Sequence, residues 1–131
     1  MIAGLSHITF IVKDLNRTTL FLEKIFGATT VYSSSTSKYL LVNDLWIALN
    51  TGEPLSERTY NHIAFKVEDS DFDEFVERIK DIGAEIVQGR TRLDDEGRSV
   101  YFYDYDNHLF ELHTGTLSKR LACYSQSERV E

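Results

Sequence analysis

The chain has 131 residues, of which 42% are hydrophobic and 27% charged, a composition typical of one globular domain and not of a disordered protein. Its formal net charge of −7 argues against non-specific nucleic-acid binding, which depends on basic patches, but leaves room for an anionic small molecule in a locally basic pocket. It has one cysteine, Cys123, no apolar run of about 18 residues and no basic-then-apolar leader. We therefore expect a cytoplasmic protein without an intramolecular disulfide or a membrane span.

The first half of the chain reads as a strand, a helix and three further strands. Residues 7–14 (HITFIVKD) alternate like a half-buried strand. A helix is predicted from Leu15 to about Phe26, with Asp14 or Asn16 as its N-cap and Gly27 as its end. The three strands that follow are predicted near residues 28–33, 38–43 and 45–50.

The second half repeats this order after a polar linker. Residues 62–69 (HIAFKVED) match residues 7–14 at an offset of 55. The next helix should end at Gly83 and carries its apolar side chains on one face, at Phe72, Phe75, Val76, Ile79 and Ile82. Strands are predicted near residues 84–89, 99–105 and 108–114. Turn residues separate the last two strands of each half, at Asn43-Asp44 and at Asp104 to Asn107.

The order is therefore βαβββ twice, which predicts an α+β fold of paired βαβββ modules. We expect a single domain composed of module one (1–51), a linker (52–58), module two (59–114) and a C-terminal helix and tail (115–131). Neither module can bury its sheet face alone, so the modules must pair, within one chain or between two.

Two histidines occupy equivalent positions of this repeat. His7 and His62 each begin the first strand of a module. If an approximate two-fold axis relates the modules, both imidazoles approach one point, which indicates a metal, because histidine is the commonest transition-metal ligand. His108 and His113 remain, and each is expected to be a turn or surface residue and not a ligand, with contact between His113 and the site as the lesser alternative.

A third ligand should come from the last strand of the second module. Aligning DLWIALN with NHLFELH places Glu111 where the first module has Ala48. A carboxylate in an otherwise apolar strand needs a partner, because burying it unpaired is costly. His7, His62 and Glu111 would leave coordination positions open for a substrate, and they suit Mn(II), Fe(II), Zn(II) or Ni(II).

These motifs resemble the fosfomycin-resistance enzymes of the vicinal-oxygen-chelate superfamily. The resemblance covers residues 1 to about 122 and rests on GLSHITFIVKDL, LWIALN, YNHIAFKVED and GRSVYFYDYDNHLFELHTGTL taken together. It implies opening of the epoxide of fosfomycin, a small phosphonate, and a Mn(II) ion on His7, His62 and Glu111. It also implies a module-exchanged homodimer in which His7 comes from one chain and the other two ligands from its partner.

Further positions carry over from the resemblance one by one. Arg120 matches a residue that contacts the phosphonate, and Thr9 matches a hydroxyl near the substrate. Arg90 is placed like the basic residue on the loop over the site, with Arg92 as its competitor. Ser99 and Tyr101 match phosphonate-binding hydroxyls. Tyr39 and Trp46 match residues that shape the pocket.

The nucleophile divides this family. The sequence of the chain most resembles the water-using, FosX-type hydrolases, which carry a general-base glutamate between the second and third strands. No acidic residue lies between Thr29 and Asn43 here, and neither Glu57 nor Glu96 stands at a matched position. A low-molecular-weight thiol needs no such base, since nearby positive charge lowers a thiol pKa. The sequence therefore favours thiol addition over water, and RTRLDDEGRS does not reproduce the family's potassium-binding loop.

Three other functions share the fold or the ligand set. An Fe(II) extradiol dioxygenase uses two histidines and a carboxylate but usually needs an additional acid–base histidine. An isomerase of the glyoxalase I kind typically has a fourth, acidic ligand, where this chain has Ala48. A non-catalytic drug-binding module of the bleomycin-sequestering kind needs no metal, so metal content separates it from the enzymes.

Overall fold

The computed structural model of the chain describes residues 1–89 and 96–130, the last four by their backbone alone. The chain divides into two compact units, one of residues 1–59 with 104–108 and the other of residues 60–103 with 109–131. We call them unit 1 and unit 2. Each contains one four-stranded sheet, so the predicted α+β class with two βαβββ modules is confirmed.

Unit 1 holds its sheet in the order β1-β4-β3-β2, with β1 parallel to β4 and the other neighbours antiparallel. Its elements are β1 (His7–Val12), α1 (Leu15–Phe26), β2 (Thr29–Ser33), β3 (Ser37–Val42) and β4 (Leu45–Thr51). The apolar face of α1 and one face of the sheet form its core, in which the most deeply buried side chains are Val12, Phe21, Leu22, Ile25, Leu40, Ile47 and Leu49.

Helix α1 begins at the first of the two cap residues that the sequence offered. The Asp14 side chain accepts a hydrogen bond from the backbone N–H of Arg17 at 3.1 Å. Asn16 lies inside the helix, where its side chain accepts from Lys38. The helix ends at Gly27, whose φ of 68° is the left-handed conformation that glycine adopts without strain.

Loss of this cap is expected to lower stability measurably. We predict that Asp14→Ala reduces the free energy of unfolding by about 1 kcal/mol, since one N–H of the first turn loses its acceptor. Urea denaturation measures the change. Asn16→Ala is the matched control and should leave the unfolding midpoint nearly unchanged, whereas an equal loss from both variants would show that Asp14 is not the cap.

Unit 2 repeats the arrangement in the order β5-β8-β7-β6, again with the outer pair β5 and β8 parallel. Its elements are β5 (His62–Lys66), a 3-10 turn (Asp69–Asp71), α2 (Phe72–Asp81), β6 (Glu85–Val87), β7 (Ser99–Tyr103), β8 (Leu109–His113) and α3 (Leu117–Val130). Strand β5 is shorter than residues 62–69 because the 3-10 turn leads into α2.

Arg98 ties the start of β7 to the start of α2. Its guanidinium donates to the Asp69 and Asp73 carboxylates at 3.0 and 2.9 Å and lies 4.4 Å from the centre of the Phe72 ring. These hydrogen bonds, the one to Asp69 first, raise the pKa of Arg98. The contacts hold the strand that carries Ser99 and Tyr101.

Strand register confirms the repeat at single-residue level. In unit 1 Thr9 pairs with Ala48, and in unit 2 Ala64 pairs with Glu111. Each of these pairs lies two residues beyond the module's first histidine. Glu111 therefore occupies the position of Ala48, as the alignment predicted.

The β7–β8 turn packs within unit 1, although its strands belong to unit 2. Asp106 accepts from the backbone N–H of Lys13 at 3.0 Å, and the Tyr105 ring lies 5.6 Å from that of Phe21 and 3.7 Å from the Arg17 guanidinium. Asn107 adopts a φ of 69°, a left-handed conformation that asparagine tolerates well.

Among the described residues, no helix has the length and apolar character that a membrane span requires.

Candidate functional site

The strongest candidate site in unit 2 is built on the paired strands β5 and β8. Nε2 of His62 lies 3.0 Å from Oε1 of Glu111. Glu111 is only 3% exposed, in a strand whose other side chains are buried or half-buried. A buried carboxylate costs free energy unless it is paired, so this contact accounts for its presence in the strand.

The hydrogen bond at Nδ1 of His62 leaves its other ring nitrogen facing Glu111. Nδ1 of His62 lies 2.7 Å from the carbonyl oxygen of Tyr60. Because a carbonyl only accepts, Nδ1 carries the proton and donates, and in the neutral ring Nε2 then presents a lone pair. A lone pair facing a carboxylate oxygen is stable only with a proton or a metal cation between them. The donor set therefore fits a divalent metal, with the Tyr60 carbonyl fixing the ring as outer partners of metal-bound histidines do.

Two residues of β7 face this pair. Ser99 Oγ donates to Oε2 of Glu111 at 2.6 Å. Tyr101 pairs in register with Glu111, its ring packs edge-on to His62 at 5.3 Å, and its hydroxyl accepts from Tyr60 at 3.0 Å. Both predicted hydroxyls thus lie beside the predicted ligands, with the Ser99 proton engaged by the carboxylate.

Sequence reasoning missed His113, which is neither a surface nor a turn residue. It lies on β8, its side chain is 13% exposed, and its Nδ1 is 2.7 Å from Ser99 Oγ. The signal was available, since His113 and Glu111 are two residues apart on a strand and share a face. His108 does lie in the turn, where Nδ1 contacts Asp104 Oδ2 at 2.7 Å.

Unit 1 presents a corresponding set of side chains on one face of its sheet. The His7 ring stacks on Trp46 with centroids 4.1 Å apart, and Tyr39 packs edge-on to Trp46 at 5.2 Å. Thr9 is exposed and stands beside Ala48. His7, Thr9, Tyr39 and Trp46 are therefore neighbours in unit 1.

Among the described residues, no three His, Cys, Asp or Glu side chains form a group that would hold a metal. Each unit contributes part of the predicted set: His7 in unit 1, and His62 with Glu111 in unit 2. Arg90 and Arg92, the two candidates for the basic loop residue, lie outside the described residues.

Arg120 lies on α3 in unit 2. Its Nε is 3.9 Å from Oε1 of Glu96, which is only 1% exposed. Of the two glutamates considered as a general base, Glu96 is thus a buried partner of a cation, whereas Glu57 is exposed.

The β2–β3 hairpin, where the FosX-type enzymes carry their general base, is short. A hydrogen bond from the backbone N–H of Ser34 to the carbonyl oxygen of Ser37 closes it at 2.8 Å.

Two sequence relatives cover almost the whole chain, and a family model agrees with them. Residues 4–112 match the Glyoxalase/Bleomycin resistance protein/Dioxygenase superfamily. The chain is 60% identical over 131 residues to the fosfomycin resistance protein FosX of Listeria innocua, covering 95% of this chain and 98% of the relative. It is 36% identical over 132 residues to the metallothiol transferase FosB of Shouchella clausii, covering 97% and 90%.

A solved structure is similar over the same length. A mutant FosX of Listeria monocytogenes, complexed with Mn(II) and 1S,2S-dihydroxypropylphosphonic acid, superimposes with a TM-score of 0.90 at 58% identity, covering 95% of this chain and 99% of that one.

Proposed function

This chain belongs to the glyoxalase/bleomycin resistance protein/dioxygenase superfamily, as its motifs predicted, and on that premise we propose that it confers fosfomycin resistance by metal-dependent opening of the epoxide ring. One observation carries the proposal. Nε2 of His62 lies 3.0 Å from a buried carboxylate oxygen of Glu111, and imidazole and carboxylate are both ligand types of divalent metals. Relatives named for fosfomycin resistance, at up to 60% identity, supply the substrate.

We propose that His7, His62 and Glu111 hold the metal, with His7 from one chain and the other two from its partner in a module-exchanged homodimer. Mn(II) is the proposed ion, since the similar FosX structure is complexed with Mn(II). A bound metal would act as a Lewis acid that stabilises charge developing on the epoxide oxygen. We further propose that the two modules, the linker and the C-terminal helix form a single domain.

The remaining side chains are proposed to bind and orient the phosphonate. A phosphonate dianion accepts short, charge-assisted hydrogen bonds from arginine and ordinary ones from hydroxyls. Arg120 and Arg90 would provide the charge, and Thr9 and Tyr101 the hydroxyl donors. Tyr39 and Trp46, which pack edge-on in unit 1, would form an apolar wall of the pocket.

The nucleophile is either water or a low-molecular-weight thiol, and two observations support different answers. The β2–β3 hairpin carries no acidic residue, which favoured a thiol. The similar FosX structure, however, is complexed with a dihydroxypropylphosphonic acid, the compound that water addition to fosfomycin yields. The thiol-transferase relatives are more distant, at 36% identity against 60%. We propose water as the nucleophile on the weight of the nearer relatives.

Phosphorus NMR of the Mn(II)-loaded protein with fosfomycin tests both the opening of the epoxide and the identity of the nucleophile. We expect a diol signal in tubes without thiol, because water alone completes the reaction. Parallel tubes with glutathione, L-cysteine or bacillithiol are the controls. A product formed only with one thiol would make the protein a transferase, and no turnover in any tube would refute epoxide opening and return weight to the dioxygenase or binding-module functions.

A further inference from the structure

His113 is a half-buried polar residue beside the proposed metal ligands, with no role in the function described above. Its Nδ1 lies 2.7 Å from Ser99 Oγ, and Ser99 Oγ lies 2.6 Å from Oε2 of Glu111. The direct distance from His113 Nδ1 to Oε2 is 3.6 Å, beyond hydrogen-bond range. His113 therefore reaches the carboxylate through the serine hydroxyl.

The directions of the two hydrogen bonds that link His113, Ser99 and Glu111 follow from the number of protons that each group can donate. An ionised carboxylate only accepts, so Ser99 gives its single proton to Glu111. The serine oxygen is then left with lone pairs alone, and His113 Nδ1 must be the donor to it. Both Oε2 of Glu111 and the Ser99 hydroxyl are oriented by this arrangement, and Oε1 remains directed at His62.

We propose that His113 is a positioning residue for the metal ligand Glu111. Through Ser99 it holds Oε2 in a hydrogen bond and leaves Oε1 for the metal. The inference rests on the proposed metal site.

Unit 1 contains a corresponding pair without a carboxylate. Ser37 pairs in register with Asn50 as Ser99 pairs with His113, but the hydrogen bond has the opposite direction, since Ser37 donates to Asn50 Oδ1 at 2.7 Å. Glu111 is replaced there by Ala48. Ser37 is therefore a matched control for Ser99. Asparagine is a conservative replacement for His113, because its amide N–H can donate where Nδ1 does.

The test measures Mn(II) affinity of the purified full-length protein by electron paramagnetic resonance of free Mn(II). His113→Leu and Ser99→Ala are each expected to weaken Mn(II) binding by about 10- to 100-fold, the usual cost of losing an outer partner of a ligand. His113→Asn should restore most of the affinity, and Ser37→Ala should leave it unchanged.

Each alternative has a distinct outcome. Wild-type affinity in His113→Leu would reduce His113 to a packing residue and overturn the inference. Unchanged Mn(II) affinity in Ser99→Ala would show that the serine does not link His113 to Glu111, and it would overturn the inference as well. Failure of Glu111→Ala to weaken Mn(II) binding would instead refute the proposed metal site itself. Circular dichroism checks folding, and Ser99→Ala, which removes a single oxygen, keeps the test available if His113→Leu does not fold.

Discussion

Replacing Glu111 by alanine is expected to abolish Mn(II) binding and epoxide opening together. The carboxylate is 3% exposed and its Oε1 lies 3.0 Å from His62 Nε2, so the change removes a proposed ligand together with the acidic partner of His62. We expect Mn(II) affinity to fall by more than about 100-fold, the upper end of what loss of an outer partner costs, since here a ligand itself is lost. Metal content after dialysis and the phosphorus NMR assay measure the two effects.

A charge-matched variant separates this effect from a change in net charge. Glu77→Ala removes one carboxylate from the exposed face of α2 and should leave both metal content and turnover unchanged. Glu111→Gln keeps the shape of the side chain but lacks the charge, and it should bind Mn(II) more weakly than the parent. Turnover by metal-free Glu111→Ala protein would refute the proposed mechanism.

Arg120→Ala is expected to lose substrate affinity while it retains the metal. A hydrogen bond to a charged group contributes about 1.5–3 kcal/mol, so we expect the KM for fosfomycin to rise by roughly 10- to 100-fold. Because Arg120 contacts the buried Glu96 at 3.9 Å, the variant should also unfold at a lower denaturant concentration. Steady-state kinetics at saturating Mn(II), metal content and urea denaturation separate these three effects.

Two neighbouring variants make this result specific. Lys119→Ala removes an adjacent positive charge from α3 and should leave the fosfomycin KM unchanged. Arg120→Lys keeps the charge without the planar fork and should recover only part of the affinity. A loss of Mn(II) in Arg120→Ala would show that this arginine supports the metal site and not the phosphonate.

Most of the fold could be predicted because its signals are local. Alternating strands, amphipathic helices and turn residues at Gly27, Asn43 and Asn107 all lie where the structure has them, the last two with left-handed φ angles of 53° and 69°. The choice between Asp14 and Asn16 as N-cap could not be made, since both are good caps and only the helix start decides. The packing of the β7–β8 turn within unit 1 depends on long-range contacts that no local pattern reports.

The repeat led to only part of the side-chain cluster that the structure shows in unit 2. His62 and Glu111 followed from matching the modules, and Ser99 and Tyr101 from the resemblance. His113 was missed because its counterpart in the repeat is Asn50, so the matching that found His62 gave no reason to select it. Its contact with Ser99 depends on the antiparallel register of β7 and β8, which a sequence pattern fixes only after the length of the turn is known.

The turn of residues 104–108 has a consequence for synthesis on the ribosome. Unit 1 takes most of its chain from residues 1–59, yet it is completed by Tyr105 against Phe21 and by Asp106 on the backbone of Lys13. A nascent chain that has released only its first module therefore lacks part of that unit's packing until residue 108 has left the exit tunnel. The packing of unit 1 is therefore completed only when most of the C-terminal half has been synthesised.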